Sequence, residues 1–238
     1  MNTSDTLLFA TRNQHKAREF QSLLGDFINP SWRVFDIADW HDQVPEVVED
    51  KETFWGNAVK KALEVSKHTG SVALSDDSGL EVDALDGAPG VYSARYAGPN
   101  ATDEQNNRVL IKELEGVPEK KRTARYVCVA ALAIPDNKIG RALIARTKVP
   151  FAEIGEAEPD KEQSMARVDN RIVVWFRGTV EGLIIDEPRG TEGFGYDPHF
   201  YVPQWDKTMA EVPLDKKNSI SHRAEALKKM ATFFQGRP

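Results

Sequence analysis

The sequence predicts an α/β fold. Short apolar runs rich in β-branched residues alternate with amphipathic stretches of helical spacing, and turn residues separate them. The first such unit is Thr6-Leu7-Leu8-Phe9-Ala10, a buried strand, then a polar loop, then a helix over residues 17–24. That helix places Phe20, Leu23 and Leu24 on one face, with Gly25 just past its end. The second observation is a strand over residues 32–37 followed, after an acidic Pro-containing loop at residues 39–50, by a helix capped by Thr53. It runs to about residue 68 with Gly70 as its stop. The third is size: 238 residues, 40% hydrophobic and 29% charged, is enough for one large domain or two small ones of ordinary globular balance.

The second helix packs Phe54, Trp55, Ala58, Val59, Ala62, Leu63 and Val65 at helical spacing. Asn57 and Lys61 are four apart and share a face, which periodicity alone reads as solvated. Val72-Ala73-Leu74 then reads as a strand ending at Ser75-Asp76-Asp77-Ser78-Gly79. Gly79 supplies a sharp turn before Leu80-Glu81-Val82 resumes an extended pattern. Side chains alternate along extended chain, so the two carboxylates cannot easily point the same way: one can be held by the backbone while the other faces a cleft, which suits a metal-binding or water-activating carboxylate. A polar turn in which Asp and Ser bond their own backbone has the same local signature.

Further on, Thr102-Asp103-Glu104-Gln105 is a capping box opening a helix with Val109, Leu110 and Leu114. Residues 125–134 read as a central strand carrying Cys128, and a second β run lies at 172–176 and continues from 179 to 185. Between them residues 145–171 are irregular and acidic, an exposed excursion or hairpin arm rather than a separate domain. Residues 190–197, reading Gly-Thr-Glu-Gly-Phe-Gly-Tyr-Asp, form a flexible turn with two rings and a carboxylate; an aromatic between glycines suits stacking on a base or plugging a core. Ser221 precedes a helix with Leu227, Met230, Ala231 and Phe234 on one face. His222 and Arg223 stand in its first turn, where cations oppose the helix dipole and an anionic or carbonyl partner would suit them.

Composition excludes some classes. A net charge of −6 argues against binding a nucleic-acid polymer through its backbone, though a local basic cluster could still take a small anion. No apolar stretch is long enough to span a bilayer, and residues 1–5 show no secretory pattern. One cysteine cannot form an internal disulfide, so a reducing cytoplasm is expected. Five scattered histidines and one cysteine give no zinc-ligand spacing. The loop Thr11-Arg12-Asn13-Gln14-His15-Lys16 sits between strand and helix, where backbone N–H groups with Arg12 and Lys16 could hold an anion. It contains no glycine and is not a Gly-Lys-Ser/Thr phosphate loop.

Six stretches in order resemble the inosine triphosphate pyrophosphatase family of noncanonical purine nucleoside triphosphate pyrophosphatases. They are Thr11, Asn13 and Lys16; Thr53, Phe54, Asn57 and Ala58, with Lys61 following; Asp76 to Gly79; the Gly-Ala-Pro-Gly-Val-Tyr-Ser-Ala-Arg-Tyr stretch at residues 87–96; Gly-Phe-Gly-Tyr-Asp-Pro at residues 193–198; and Ser221-His222-Arg223. Three departures stand out. Gly56 occupies a place where the family commonly has Glu, Val48-Glu49-Asp50 replaces a usual Glu-Glu, and the excursion at 145–171 is longer than typical.

The resemblance implies a single catalytic domain over residues 1–238 with an elongated mixed sheet, two lobes flanking a substrate cleft, and a homodimer. It implies Mg²⁺-dependent hydrolysis of ITP, dITP or XTP to the monophosphate and pyrophosphate. Asp77 is the implied general base and metal ligand, with Glu49 (or Asp50) and Asp76 as further ligand candidates. Residues Thr11, Arg12, Asn13, Gln14, His15, Lys16, Lys61 and Ser78 are implied at the triphosphate. Phe194, Gly195, Tyr196, Asp197, Lys217, His222 and Arg223 are implied at the base. A Maf-type pyrophosphatase shares the fold class, but the Ser-His-Arg and Phe-Gly-Tyr-Asp motifs argue against it; retention of Asp77 argues against a silent nucleotide sensor.

Overall fold

A computed structural model describes residues 6–11, 16, 20, 33–37, 44–145, 147, 163–213, 216–217 and 220–235. Among the described residues eight strands form one sheet in the order β2-β1-β3-β4-β6-β7-β8, with β5 paired to β6. The strands are β1 (Thr6–Phe9), β2 (Arg33–Asp36), β3 (Val72–Val82), β4 (Thr123–Pro135), β5 (Gln163–Val168), β6 (Arg171–Ile184), β7 (Phe200–Val202) and β8 (Lys207–Thr208). Strand β1 runs parallel to both β2 and β3, whereas β5, β7 and β8 pair antiparallel, so the sheet is mixed. The helices are α1 (Phe54–Thr69), α2 (Asp103–Glu113), α3 (Lys138–Ala145) and α4 (His222–Gln235). Phe20 is helical as expected, and Lys16, expected in the preceding loop, is helical too; the rest of the helix expected at residues 17–24 lies outside the described residues.

The chain clusters into two compact units. One comprises residues 1–77, 129–178 and 223–238; the other comprises residues 78–128 and 179–222. In the first, Leu7, Leu8 and Phe9 of β1 are buried, and Leu8, Ala10, Ile37, Val44, Val65 and Ala73 form an apolar cluster. Helix α1 begins where Thr53 Oγ1 accepts the Gly56 N–H at 3.0 Å and ends at Gly70 with a φ of 70°, as the sequence predicts. Trp55 of α1 meets Trp175 of β6 edge-on, and Phe233 of α4 meets Phe176 of β6 the same way. The second unit has its own core of Leu80, Val82, Leu110, Leu114, Tyr126 and Phe200 with their neighbours. Helix α2 starts with the expected capping box between Thr102 and Gln105.

One expectation changes. The Asp76-Asp77-Ser78-Gly79 stretch does not turn: β3 continues through it for 11 residues, and Gly79 has no positive φ. Local turn propensity yields to the pairing of a buried strand. The β run expected at 172–176 and continuing over 179–185 is one 14-residue strand, β6, as the sequence predicts. In the excursion, α3 ends at Ala145, and β5 with β6 makes a hairpin turning at Asp169-Asn170, where Asp169 has a φ of 52°. Residues 148–162 lie outside the described residues.

Candidate active site

Strand β3 delivers Asp76 and Asp77 to opposite faces, as alternation predicts. Both are buried, at 2% and 5% exposure. Asp76 Oδ2 lies 3.0 Å from Lys16 Nζ and 3.8 Å from Arg223 Nε. Burial alone would raise its pKa, but Lys16, Arg223 and Lys61 outweigh burial and hold the carboxyl far below the usual carboxylate range. Asp77 shows the opposite balance: burial dominates and pushes its pKa up despite the attraction of Lys61 and Lys16.

Asn57 and Lys61 are not on a solvated face. Asn57 is fully buried and Lys61 is 9% exposed, because the i, i+4 face they share looks onto β3 and onto the chain at residues 49–51. Asn57 Nδ2 donates to Asp77 Oδ2 at 3.0 Å and to the Lys51 carbonyl at 3.2 Å, and Asn57 Oδ1 accepts the Lys51 N–H at 2.9 Å. One amide therefore fixes both Asp77 and the segment that carries Glu49. Lys60 fastens the same segment, donating to the Val48 carbonyl at 2.8 Å and pairing with Asp50 at 2.9 Å. The sequence marked Asn57 only as a neighbour of Lys61; its signal was its place in the Thr-Phe-x-x-Asn-Ala pattern.

Lys61 Nζ sits 2.6 Å from Glu49 Oε1 and 4.0 Å from Asp77 Oδ1. Burial disfavours its charge, yet the carboxylates of Asp76, Asp77 and Glu49 together raise its pKa. A single cation thus already bridges Glu49 and Asp77, and two carboxylates are hard oxygen donors of the kind that suits Mg²⁺. Asp50 points elsewhere: its side chain is half exposed and pairs with Lys51 and Lys60. Among the described residues no group of three or more metal-ligating side chains occurs. Thr11 and Lys16 flank the loop that follows β1, and Thr11 N–H donates to the Phe9 carbonyl at 2.9 Å. Arg12, Asn13, Gln14 and His15 lie outside the described residues. Ser78 follows on β3, half-buried.

A second cluster belongs to the other unit. The turn at residues 193–197 wraps around the Asp197 carboxylate, whose Oδ2 accepts the Phe194 N–H at 3.0 Å and Lys217 Nζ at 2.6 Å. Gly193 has a φ of 83°, and a Cβ there would fall 2.1 Å from Asp197 Oδ2, so only glycine fits. Lys217 Nζ also stands 5.3 Å from the centre of the Phe194 ring, a cation–π contact. Tyr196 is buried and donates its hydroxyl to the Ser93 carbonyl at 2.8 Å, joining this turn to the Gly90–Arg95 turn. His222 stacks on Tyr126 at 5.0 Å between ring centres and an interplanar angle of 12°. Phe194 and Gly195 also wall a depression of about 590 Å³ with Asp103, Asn107, Ile111 and Pro198; Asp197, Lys217 and His222 do not line it.

The structure thus gathers Lys16, Glu49, Lys61, Asp76, Asp77 and Arg223 into one cluster and Phe194, Gly195, Tyr196, Asp197, Lys217 and His222 into another. Arg223, expected at the base end, has its Nε beside Asp76, although its neighbour His222 lies with the second group.

Comparison with known proteins agrees along most of the chain. Residues 7–150 and 160–233 match the model of the Ham1 family; the intervening residues fall within the excursion. A dITP/XTP pyrophosphatase of Desulforamulus reducens is 44% identical over 223 residues, covering 94% of this chain and 92% of that one. One of Geobacter sulfurreducens is 44% identical over 221 residues, covering 93% and 92%. The structure of the Staphylococcus aureus Ham1 protein superposes with a TM-score of 0.71 at 34% identity, covering 97% of this chain and 98% of that one. A HAM1 protein from Coxiella burnetii gives 0.71 at 36% identity, covering 95% and 96%. With the Asp76-Asp77 strand, the Gly-Phe-Gly-Tyr-Asp turn and the Ser-His-Arg helix start all in place, the chain belongs to the Ham1 family.

Proposed function

We propose that this protein hydrolyses noncanonical purine nucleoside triphosphates such as ITP, dITP and XTP to the monophosphate and pyrophosphate, keeping deaminated purines out of the nucleotide pool. The observation that carries this reading is Asp77. It is a buried carboxylate whose proton affinity is raised, held by Asn57 beside Lys61 and Glu49. The relatives named dITP/XTP pyrophosphatase support the substrate class.

In this reading Asp77 takes the proton from a water that attacks the α-phosphorus. The bond from that phosphorus to the α–β bridging oxygen breaks, and pyrophosphate leaves with the electron pair. Lys16 and Lys61 neutralise the triphosphate. Phe194 stacks on the purine, and Asp197, Lys217, His222 and Arg223 serve its polar edge. Glu49 and Asp77 would hold Mg²⁺, which supplies Lewis-acid stabilisation of charge on phosphate oxygens. Asp76, already committed to Lys16 and Arg223, serves as the anchor of those two cations. The whole chain acts as one catalytic domain and as a homodimer in the cytoplasm. The single cysteine suits a reducing compartment, and no helix among the described residues is long and apolar enough to cross a membrane.

The test is to supply ITP with Mg²⁺ and assay pyrophosphate and orthophosphate separately. One pyrophosphate and one IMP per ITP is expected. Orthophosphate and IDP in equal amounts would overturn attack at the α-phosphorus.

A further inference from the structure

Helix α2 makes two bonds that the proposed chemistry does not use. Asp103 Oδ2 accepts the Gly195 N–H at 2.7 Å, and Asn107 Nδ2 donates to the Gly195 carbonyl at 2.9 Å. Asp103 and Asn107 are one helical turn apart on one face, so both polar groups of a single backbone residue are gripped by one rigid element. Gly195 has a φ of 64° with nothing within 4 Å of its Cβ position, so it is glycine for its left-handed backbone, not for lack of space. The preceding residue is Phe194. Next to Asn107, Asn106 reaches a different segment: its Oδ1 accepts the Ala97 N–H at 2.8 Å and its Nδ2 donates to the Ala94 carbonyl at 3.3 Å. That segment continues from Ser93, whose carbonyl accepts the Tyr196 hydroxyl. One helix face therefore sets the position of both loops around Phe194.

Stability does not explain these side chains. Asp103 is exposed, where a hydrogen bond adds little net stability. Asn107 is 9% exposed, and its Oδ1 is buried with no hydrogen-bond partner among the described residues. A buried acceptor without a donor is costly, so Asn107 gives back much of what its bond to Gly195 contributes to stability.

We propose that Asp103 and Asn107 are positioning residues for base recognition: by clamping Gly195 they fix the plane in which Phe194 meets the purine ring. The proposal rests on the reading of Phe194 as the stacking platform. Removing the clamp weakens stacking on the base and leaves the phosphate contacts untouched. Base–aromatic stacking spans about 5- to 150-fold in binding per ring, and a loosened ring forfeits part of it.

The experiment compares inhibition by IMP, which carries the base, with inhibition by inorganic pyrophosphate, which does not, and records melting temperature. The variants are Asn107→Leu, Asp103→Ala, the conservative Asp103→Asn, and Phe194→Ala as reference. Asn107→Leu and Asp103→Ala are expected to raise the inhibition constant for IMP about tenfold. Pyrophosphate should stay within about twofold and the melting temperature should not fall. Asp103→Asn keeps an acceptor and should restore IMP binding, and Asn107→Leu should add little on top of Phe194→Ala. If Phe194→Ala weakens IMP but neither clamp variant does, the clamp is overturned and the platform stands. If Phe194→Ala has no effect, the platform falls and the clamp with it. Equal loss for IMP and pyrophosphate with a lower melting temperature would show a merely structural role. Should Asn107→Leu not fold, exposed Asp103 carries the same test.

Discussion

Asp76 and Asp77 are adjacent on one strand and are stabilised in opposite protonation states. Asp76 Oδ2 lies 3.0 Å from the Lys16 ammonium, while Asp77 Oδ2 accepts the neutral amide of Asn57 at 3.0 Å. Strand alternation sends the two side chains to different partners, and burial then acts on each without equal compensation. The result is one carboxylate that keeps its charge beside another that holds its proton more readily.

For Asp76 the consequence is stability. Its folded pKa is depressed below 3.8, so its contribution is fully present above about pH 4 and is lost as pH falls through the depressed value. Asp76→Asn leaves Lys16 and Arg223 without their carboxylate and should cost about 3–5 kcal/mol at pH 7. Urea unfolding from pH 7 down to pH 2 should show the gap between wild type and variant closing on acidification. A gap that stays constant would mean Asp76 does not carry the ion pairs.

Asp77 has the reverse sign. Its raised pKa means its folded-state contribution is present at low pH and is lost as pH rises through the raised value, so the ionised side chain is a burden at pH 7. Asp77→Asn should therefore be no less stable than wild type at pH 7, while kcat falls by about 10²–10⁴ through loss of the base. Wild-type kcat should also decline on acidification, as the proton that Asp77 takes up removes the base. Near-normal turnover in the variant would remove Asp77 from the reaction.

Much of this was legible in the sequence, and the exceptions have physical causes. The caps at Thr53 and Thr102 are local and were readable because their bonds close within three residues. The opposite facing of Asp76 and Asp77 follows from strand periodicity. The continuous run of β3 through Gly79 was not readable, since Asp, Ser and Gly favour turns locally and only strand pairing decides otherwise. Asn57, Asn106 and Asn107 were hidden for another reason: a polar residue on a helix reads as solvated unless the segment it binds is known. Their partners lie at Asp77, at Ala94 and Ala97, and at Gly195.

Glu49 and Asp50 were alternatives in the sequence, and their surroundings now separate them. Glu49 shares the Lys61 ammonium with Asp77, while Asp50 is held outward by Lys60. Glu49→Gln should raise the Mg²⁺ concentration for half-maximal activity about tenfold or more, the scale of losing one charge-assisted ligand. Asp50→Asn should leave it unchanged, because an exposed ion pair contributes little. Titrating Mg²⁺ against both variants decides it, and equal effects would return Asp50 to candidacy.

Arg223 has two assignments to reconcile, a counter-ion for Asp76 and a reader of the purine. Its Nε faces Asp76 Oδ2 at 3.8 Å. Its guanidinium offers only donors, which suit the 6-carbonyl of hypoxanthine and meet a competing amino donor in ATP. Arg223→Lys keeps the charge but not the fork. It should hold stability near wild type while narrowing the ITP/ATP ratio of kcat/KM by about tenfold. A Lys variant with both stability and ratio intact would leave Arg223 only its role beside Asp76.

Gly56 is where this chain departs from the family pattern beside its own active cluster. Helix propensity alone favours Gly56→Ala by about 1 kcal/mol. A Cβ at that position, however, would stand 2.8 Å from Lys51 Cβ and 3.1 Å from Thr53 Oγ1. Lys51 cannot simply withdraw, because its N–H and its carbonyl are both bonded to the Asn57 side chain. Overpacking of this kind costs about 1–3 kcal/mol, so the net change should run from neutral to destabilising by about 2 kcal/mol. The strain passes from Lys51 to Asn57 and thence to both Asp77 and the Glu49 segment, so kcat should fall and the Mg²⁺ requirement should rise together. Gly56→Glu carries the same Cβ and should fare no better despite adding an acid to the first helical turn. Melting curves and Mg²⁺ titrations of both variants are the check. A Gly56→Ala protein that is more stable and fully active would show that the segment at residues 49–51 yields freely and does not position Glu49.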